Sequence, residues 1–380
     1  MKVSSLFLKL HVFFDRQAKK TNSLKPYILK NEPSVSDIKI IHVIANFIIG
    51  GSTQLVVDII ERTSHKYRHK VIVPDYSDPL PYQPVDIHQF SIDEMRKMYE
   101  FLEKEKPAIV HIHYYVREST RFEGKAFWYY GVFKVCEDLG IRVIQNVNVP
   151  TSPFISSAVV HNVYVSAYVR DHFNGNNNVR NSVIYPGSDF SHFAFDSAVS
   201  NVPDAIGMVY RLDNDKLNEE SIDVFLAVVR LKPTVHCYIV GGGLYFDLYK
   251  RKVRDAGLEK NFTFTGFVSY KELPKHYQKF SLFVAPVHDE SFGQVSPFAM
   301  GMGKVIAGYD TGALGEILGY KDTLVPYGNT EELASGIVAL LGDPIKMKEL
   351  ARKNQERALE TFSVETMIEK YRALYDSYLP

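Results

Sequence analysis

Residues 39–61 read KIIHVIANFIIGGSTQLVVDIIE, and this stretch decides the fold. Its opening KIIHVIA is short, apolar and rich in β-branched residues, the pattern of a strand buried on both faces. Gly50-Gly51 follow, and apolar residues then recur at helical spacing over 54–61. A strand, a glycine turn and a helix are the opening of a βαβ unit.

The same alternation runs outward from there. Strands are predicted over 69–73, 85–90, 108–113, 142–147 and 162–165, and helices over 92–104, 127–138 and 167–174. The pattern pauses near Tyr185-Pro186-Gly187, and residues 190–204 are polar and irregular, as a linker would be. A second alternation follows, with strands over 205–210, 236–240, 262–265, 282–285 and 305–308. Its helices are predicted over 219–232, 244–256, 270–280, 295–302, 330–342, 345–361 and 366–378. Near-continuous apolar strands alternating with helices mean parallel sheets covered on both faces. The expected fold class is α/β, with two Rossmann-like, doubly wound domains facing a cleft. The chain has 380 residues, and one hydrophobic core rarely grows past roughly 250–300. The expected division is a 1–38 extension, domains at 39–190 and 191–362, and a final helix at 363–380, which the family resemblance described below implies is packed back on the first domain.

Composition narrows the function. The 44 Lys and Arg balance 44 Asp and Glu, without the basic surplus that nucleic-acid binding needs. Cys136 and Cys237 are the only cysteines, too few for a disulfide framework or a closed zinc site. They read as buried free thiols in a reducing cytoplasm. No apolar run approaches the roughly 20 residues of a spanning helix. Residues 1–20 alternate Leu6, Phe7, Leu8, Leu10, Val12, Phe13 and Phe14 with Lys2, Lys9 and Arg16. That segment reads either as a helix packed on the domain or as an amphipathic helix at a membrane or partner.

Ligands of open α/β sheets bind beyond the carboxyl ends of the strands, and five such places carry chemistry. Gly50-Gly51 before a helix suits an anion or a plain tight turn. His111 and His113 share a strand face, and a metal site there would need further ligands that the nearby sequence does not offer; His113, at the strand end, is a core histidine or a hydrogen-bond donor to a sugar hydroxyl or phosphate. Arg211 and Lys216 follow a strand and can neutralise a diphosphate, or be solvated surface charges. Asp213 and Asp215 between them form an Asp-x-Asp string that could hold a divalent ion. Gly241-Gly242-Gly243 ends a strand, but residue 246 is Phe, so a dinucleotide fingerprint is incomplete. The fifth place is HDESFGQV at 288–295, running into a helix and then GKVIA at 303–307. There a carboxylate stands beside a glycine, and the Phe292, Gly293 and Gln294 amides can hold oxygens; an acidic cap without ligand is the alternative.

In order along the chain, these places resemble the retaining GT-B glycosyltransferases of family 4, the glycosyl transferases group 1. The resemblance runs from about Ile40 to the C-terminus and is strongest over 207–316. Val209-Tyr210-Arg211-Leu212 with Lys216 resembles the family's diphosphate-binding pair, and Tyr238 through Gly243 its glycine turn. Phe264-Thr265-Gly266-Phe267-Val268 resembles the loop that cradles the base. Pro286 through Gly293 with Ala299 through Ala307 resembles the donor-sugar signature. Gly51 and His113 fall where the family has its glycine loop and sugar-contacting histidine, and Tyr185 through Asp189 where it has a hinge. One position departs: where the family usually has a second glutamate, gripping ribose, this chain has Phe298. A phenyl ring accepts no such hydrogen bonds; Ser296 and Glu316 are the available substitutes.

The resemblance implies a retaining hexosyltransferase acting from a nucleotide diphosphate sugar, with UDP-glucose the donor expected first. The acceptor is a carbohydrate or lipid-linked sugar, as in polysaccharide biosynthesis, and a peripheral contact with the inner membrane face is allowed. Arg211, Lys216, Glu290 and His113 would be catalytic. Gly51, Gly241, Gly243, Gly266, Phe267, Phe292, Gly293, Gln294 and Val295 would bind the donor. No metal or cofactor is expected. The rival readings are a non-catalytic nucleotide-sugar-binding subunit, motivated by Phe298, and an epimerase or phosphorylase on the same scaffold.

Overall fold

The computed structural model describes residues 37–47, 50–75, 85–116, 124–173, 178–194 and 202–379, with the backbone of a short parallel pair, Tyr27–Ile28 and Tyr82–Gln83. The helix expected within 1–20 lies outside the described residues. The chain divides into two compact units, one of Met1–Ile184 with Met367–Pro380, the other of Tyr185–Thr366.

The first unit is built on seven parallel strands: β1 (Lys39–Ile44), β2 (Arg68–Val73), β3 (Ile87–Gln89), β4 (Ile109–Tyr114), β5 (Val143–Val147), β6 (Val159–Tyr164) and β7 (Arg180–Val183), in the order β3-β2-β1-β4-β5-β6-β7. The reversal of direction between β1 and β4 is the switch point of a doubly wound sheet, where ligands gather beyond the strand ends. Helix α1 (Gly51–Thr63) follows β1, and its Val56, Val57 and Ile60 pack with Ile44, Val71 and Val73. On the other face, Ile41, Val43, Val110 and Ile112 pack under α2 (Met95–Glu105) and α3 (Gly124–Asp138). Alternate residues of β1 and β4 thus belong to different faces, as the two-residue period of a strand requires. One tyrosine pins the ends of these strands: Tyr129 Oη donates to His113 O at 2.6 Å and accepts from Ala45 N at 3.0 Å.

The face that α1 covers also carries polar side chains. His42, His111, His113 and Asn146 are fully buried there. The terminal helix, labelled α12 below (Val364–Asp376), reaches them through two phenols. Tyr375 Oη lies 2.7 Å from His111 Nδ1, and Tyr371 Oη donates to Asn146 Oδ1 at 2.8 Å. Asp376 accepts from Tyr67 Oη at 2.7 Å and pairs with Lys66 at 2.6 Å.

The second unit repeats the plan with six parallel strands: β8 (Ala205–Val209), β9 (His236–Val240), β10 (Phe262–Phe264), β11 (Leu282–Ala285), β12 (Val305–Tyr309) and β13 (Leu324–Val325), in the order β10-β9-β8-β11-β12-β13. Its helices are α5 (Asp223–Leu231), α6 (Phe246–Asp255), α7 (Leu273–Tyr277), α8 (Val295–Gly301), α9 (Leu314–Leu318), α10 (Thr330–Leu341) and α11 (Pro344–Thr361); α4 (Ala167–Phe173) belongs to the first unit. The helix expected over 270–280 is shorter, because a 3₁₀ turn over Tyr270–Glu272 precedes α7. The helix expected from 219 begins only at Asp223.

Tyr371→Phe or Tyr375→Phe leaves a buried acceptor without its phenolic donor, and each is expected to lower stability by about 1–3 kcal/mol. Urea unfolding followed by circular dichroism reads the change; midpoints equal to wild type contradict the role given to the two phenols.

Candidate active site

In the second unit, the loops that follow β8, β9, β11 and β12 stand at the carboxyl edge of one sheet. Two of them meet at a carboxylate. Glu290, in the loop after β11, is completely buried. Lys216 Nζ, from the loop after β8, donates to Glu290 Oε1. Glu290 Oε2 is equally buried and has no hydrogen-bond partner. The loops are also locked by main chain: His288 N donates to Lys216 O at 2.9 Å, and Ala313 N to Glu290 O at 2.7 Å. Gly293 sits against the carboxylate, where a Cβ would come within 2.1 Å of Glu290 Oε2, and its φ of 60° favours glycine in any case.

Burial and then the nearby Glu290 charge push the Tyr210 phenol well above its ordinary pKa, against the opposing effect of Ser296. Tyr210 is the last residue before the Arg211 loop, so carboxylate, phenol and Ser296 hydroxyl share one neighbourhood. A buried, unmatched acceptor in such a polar cluster is the kind of group that a ligand satisfies.

Arg211 is directed differently: its Nη2 donates to Asp215 Oδ2 at 2.8 Å, and its side chain is about half exposed. Asp213 caps the next loop by accepting from Leu244 N at 2.7 Å. Burial raises its pKa, with the Leu244 amide and then Arg211 opposing and Asp215 adding. The glycine turn after β9 lies close by. Gly241 has φ of 130° and approaches Tyr210 O so closely that a Cβ would lie 1.9 Å from it. Gly241 also bridges Gly266, and Gly242 packs on the Phe267 ring with no room for a Cβ. Gly243 is hemmed in by Leu212 O. Phe292 is buried and stacks on Tyr185 at 5.5 Å. Gln294 Nε2 donates to Gly187 O at 2.9 Å, and Val295 opens α8 while its carbonyl accepts from Tyr277.

Phe298 is part of an aromatic pile: it lies parallel to Phe193 at 4.0 Å and edge-on to Tyr270 at 6.0 Å, with 4% of its surface exposed. Glu316 accepts from Tyr185 Oη at 2.8 Å.

In the first unit, Gly51 is exposed at the first turn of α1. His113 is completely buried and its Nε2 lies 3.2 Å from His42 Nδ1. His42 Nε2 lies 3.1 Å from His69 Nδ1, and His69 Nε2 2.8 Å from Thr63 Oγ1. One nitrogen each of His42, His111 and His113 falls within 4.8 Å of the others, a spacing that also admits a metal ion. Burial, and then the neighbouring imidazoles, push His42 and His113 well below the usual histidine range. Burial likewise brings His69 down to about 3, His111 adding, and His111 to about 4.

Residues 192–357 match the family described as glycosyl transferases group 1. That match lies within the second unit, Tyr185–Thr366. Among curated proteins, the lipopolysaccharide core biosynthesis mannosyltransferase LpsB of Rhizobium meliloti is 24% identical over 183 residues, covering 46% of this chain and 52% of that protein. The 2-deoxystreptamine glucosyltransferase of Streptomyces kanamyceticus is 26% identical over 161 residues, 42% of each chain. The chain thus spans about half the length, or less, of these curated relatives. Among solved structures, Anabaena HepE in complex with UDP and glucose aligns with a TM-score of 0.73 at 19% identity, over 90% of this chain and all of that one. A glycosyltransferase from Rickettsia africae aligns with a TM-score of 0.72 at 15% identity, over 90% and 98%. The fold of the two units is that of GT-B proteins.

Within the second unit, the structure joins Lys216, Glu290 and Gly293 at one point and Gly241, Gly266 and, through Gly242, Phe267 at another. Thr311-Gly312 reads in sequence only as a polar loop, but a Cβ at Gly312 would lie 2.1 Å from Glu290 O; Tyr210 as a group facing the carboxylate was passed over. In the first unit His42, His69 and Thr63 were passed over altogether. No helix among the described residues is long and apolar enough to cross a membrane.

Two outcomes follow from this geometry. Gly293→Ala forces the Glu290 carboxylate to move or the loop to strain, at a cost of about 1–3 kcal/mol; a melting temperature equal to wild type contradicts the close approach. The four buried histidines set a pH dependence. Their folded pKa values lie below the unfolded value of about 6.5, so the unfolded chain binds more protons as pH falls. The stability they contribute is whole above about pH 6.5 and is lost toward pH 4, by up to about 1.4 kcal/mol per pH unit for each group. Urea midpoints at pH 7 and pH 5 check this; equal midpoints contradict it.

Proposed function

We propose that the chain is a hexosyltransferase that moves a sugar from a nucleotide diphosphate donor to a carbohydrate or lipid-linked acceptor with retention of anomeric configuration. The observation that carries this is the meeting of Lys216 with the buried Glu290, whose second oxygen lacks a partner, at the carboxyl edge of the second unit's sheet. The names of the relatives support it, since a mannosyltransferase and a glucosyltransferase are among them. HepE was crystallised with UDP and glucose, which supports UDP-glucose as the donor to test first.

In this account a donor-sugar hydroxyl hydrogen-bonds Glu290 Oε2, while Lys216 and Arg211 face the diphosphate. The bond between the anomeric carbon and the β-phosphate oxygen breaks, and its electron pair leaves on the phosphate. The acceptor oxygen bonds the anomeric carbon on the same face, and its proton passes to that phosphate oxygen. The cations lower the barrier because they meet charge that grows as the bond breaks. Arg211 turns from Asp215 to do so, and its exposed side chain leaves it free to swing. The Gly241 turn, Gly266 and Phe267 take the base, and the loop from Phe292 to Val295 the sugar. In the first unit, Gly51 and His113 are the candidate sugar contacts. No metal enters this scheme.

Lys216→Ala and Arg211→Ala are each expected to raise the barrier by about 2–4 kcal/mol, the scale of one lost oxyanion donor. Turnover of UDP-glucose and other nucleotide sugars with each variant checks this, and near-normal rates in both overturn it. EDTA is expected to leave turnover intact; loss restored by Mn²⁺ would give Asp213 and Asp215 a metal role.

One observation favours a second reading. Phe298 stacked on Phe193 offers no hydrogen-bond acceptor where a ribose would be gripped, as in a subunit that binds without transfer. Calorimetry followed by a turnover assay separates the two: binding without transfer or hydrolysis selects the second.

A further inference from the structure

His113 ends a hydrogen-bond chain whose proton order is set from the far end. Thr63 Oγ1 lies 2.6 Å from Ile59 O. A carbonyl only accepts, so the one hydroxyl hydrogen of Thr63 is committed there. The 2.8 Å contact between Thr63 Oγ1 and His69 Nε2 must then be an N–H donating to the hydroxyl. Each buried ring is neutral and carries one hydrogen. His69 Nδ1 is therefore a lone pair, and His42 Nε2 donates to it at 3.1 Å. His42 Nδ1 is in turn a lone pair, and His113 Nε2 donates to it at 3.2 Å. What remains on His113 is a bare Nδ1, fully buried and without a partner.

His111 stands outside the chain. Asn146 Nδ2 donates to Asn148 Oδ1 at 2.9 Å, and Tyr371 donates to Asn146 Oδ1, which fixes the amide. His111 Nε2 then donates to Asn146 Oδ1 at 3.2 Å, and its Nδ1 accepts from Tyr375 Oη. The same proton order argues against an ion among the three rings. A metal needs a lone pair from each, but His42 Nδ1 is occupied by the His113 N–H and His111 Nδ1 by a phenol.

We propose that Thr63, His69 and His42 are positioning residues that hold His113 as a hydrogen-bond acceptor, Nδ1 bare, for a hydroxyl of the sugar substrate. His113 is the penultimate residue of β4 and pairs with Ile44, the last residue of β1, near the strand edge where parallel sheets take their ligands. This reverses the expectation that His113 donates to a hydroxyl or a phosphate: its only N–H is committed to His42, and a phosphate oxygen would set lone pair against lone pair. The identity of the ligand rests on the transferase reading; the proton order does not.

The test uses the full chain, with ¹⁵N-labelled histidine, and compares wild type with Thr63→Val and Thr63→Ser. Long-range ¹H–¹⁵N spectra are expected to show His113 protonated on Nε2 in wild type and Thr63→Ser. Valine cannot accept from His69, so Thr63→Val shifts His113 toward the Nδ1–H form. With UDP-glucose as probe donor, kcat/KM falls about five- to tenfold in Thr63→Val, Thr63→Ser keeps it, and the Kd for UDP alone is unchanged in both. A wild-type His113 carrying its hydrogen on Nδ1 overturns the proposal, as does one Zn²⁺ per chain retained through dialysis. Equal losses in Thr63→Val and Thr63→Ser with no tautomer change would mark Thr63 as merely structural and also overturn it. Absence of turnover with every nucleotide sugar tried sinks the transferase reading and the sugar ligand with it, while the spectra still decide the proton order.

Discussion

A carboxylate removed from water must be matched, and Glu290 is matched on only one oxygen. Lys216 holds Oε1, while Oε2 is buried against Gly293 with no partner. Burying charge without full compensation is costly, so the loops around it are built to hold it there. Main-chain bonds tie the Lys216 segment to His288 and Glu290 itself to Ala313. Gly293 and Gly312 are glycines because a Cβ at either would strike Glu290. The parallel strands beneath set the positions of all these loops at one edge. Sheet, turn chemistry and glycine placement thus serve a single unsatisfied oxygen.

The first unit places a different polar group at the corresponding edge. Its sheet buries apolar residues on both faces and adds histidines on the α1 face, and the histidines stay neutral because burial disfavours their charged form. Neutral imidazoles both donate and accept, which lets one layer serve two ends. Toward α12 the layer receives phenolic hydrogens from Tyr371 and Tyr375. Toward the strand edge it hands its proton order to His113.

Much of this was legible in the residues. Strands such as KIIHVI and LFVA are apolar runs bounded by turns, and each appears where the pattern predicts. β7 (RNSV) was missed because an edge strand with half-exposed residues carries no apolar run, and β13 because two residues make no pattern. Arg211, Lys216 and Glu290 stood out as charged residues after strands, but the Lys216–Glu290 pair spans 74 positions and exists only through the fold. The histidine chain was hidden for a sharper reason. His42 faces His111 across β1 and β4, while His69 pairs with Ile40. Register of that kind is absent from any local spacing. Thr63 could have been noticed only as the last residue of α1, shortly before a strand that carries His69.

The central claim is that Glu290 meets the sugar, and not the nucleotide, of a diphosphate donor. Calorimetry of wild type and Glu290→Gln against a panel of nucleoside diphosphates and their sugars tests it most directly. The account predicts that the variant binds the preferred nucleoside diphosphate within about twofold of wild type but its sugar derivative more than about tenfold more weakly, the scale of one hydrogen bond to a charged group. Equal binding of the sugar derivative by both proteins, or no binding of any nucleotide by wild type, would contradict it.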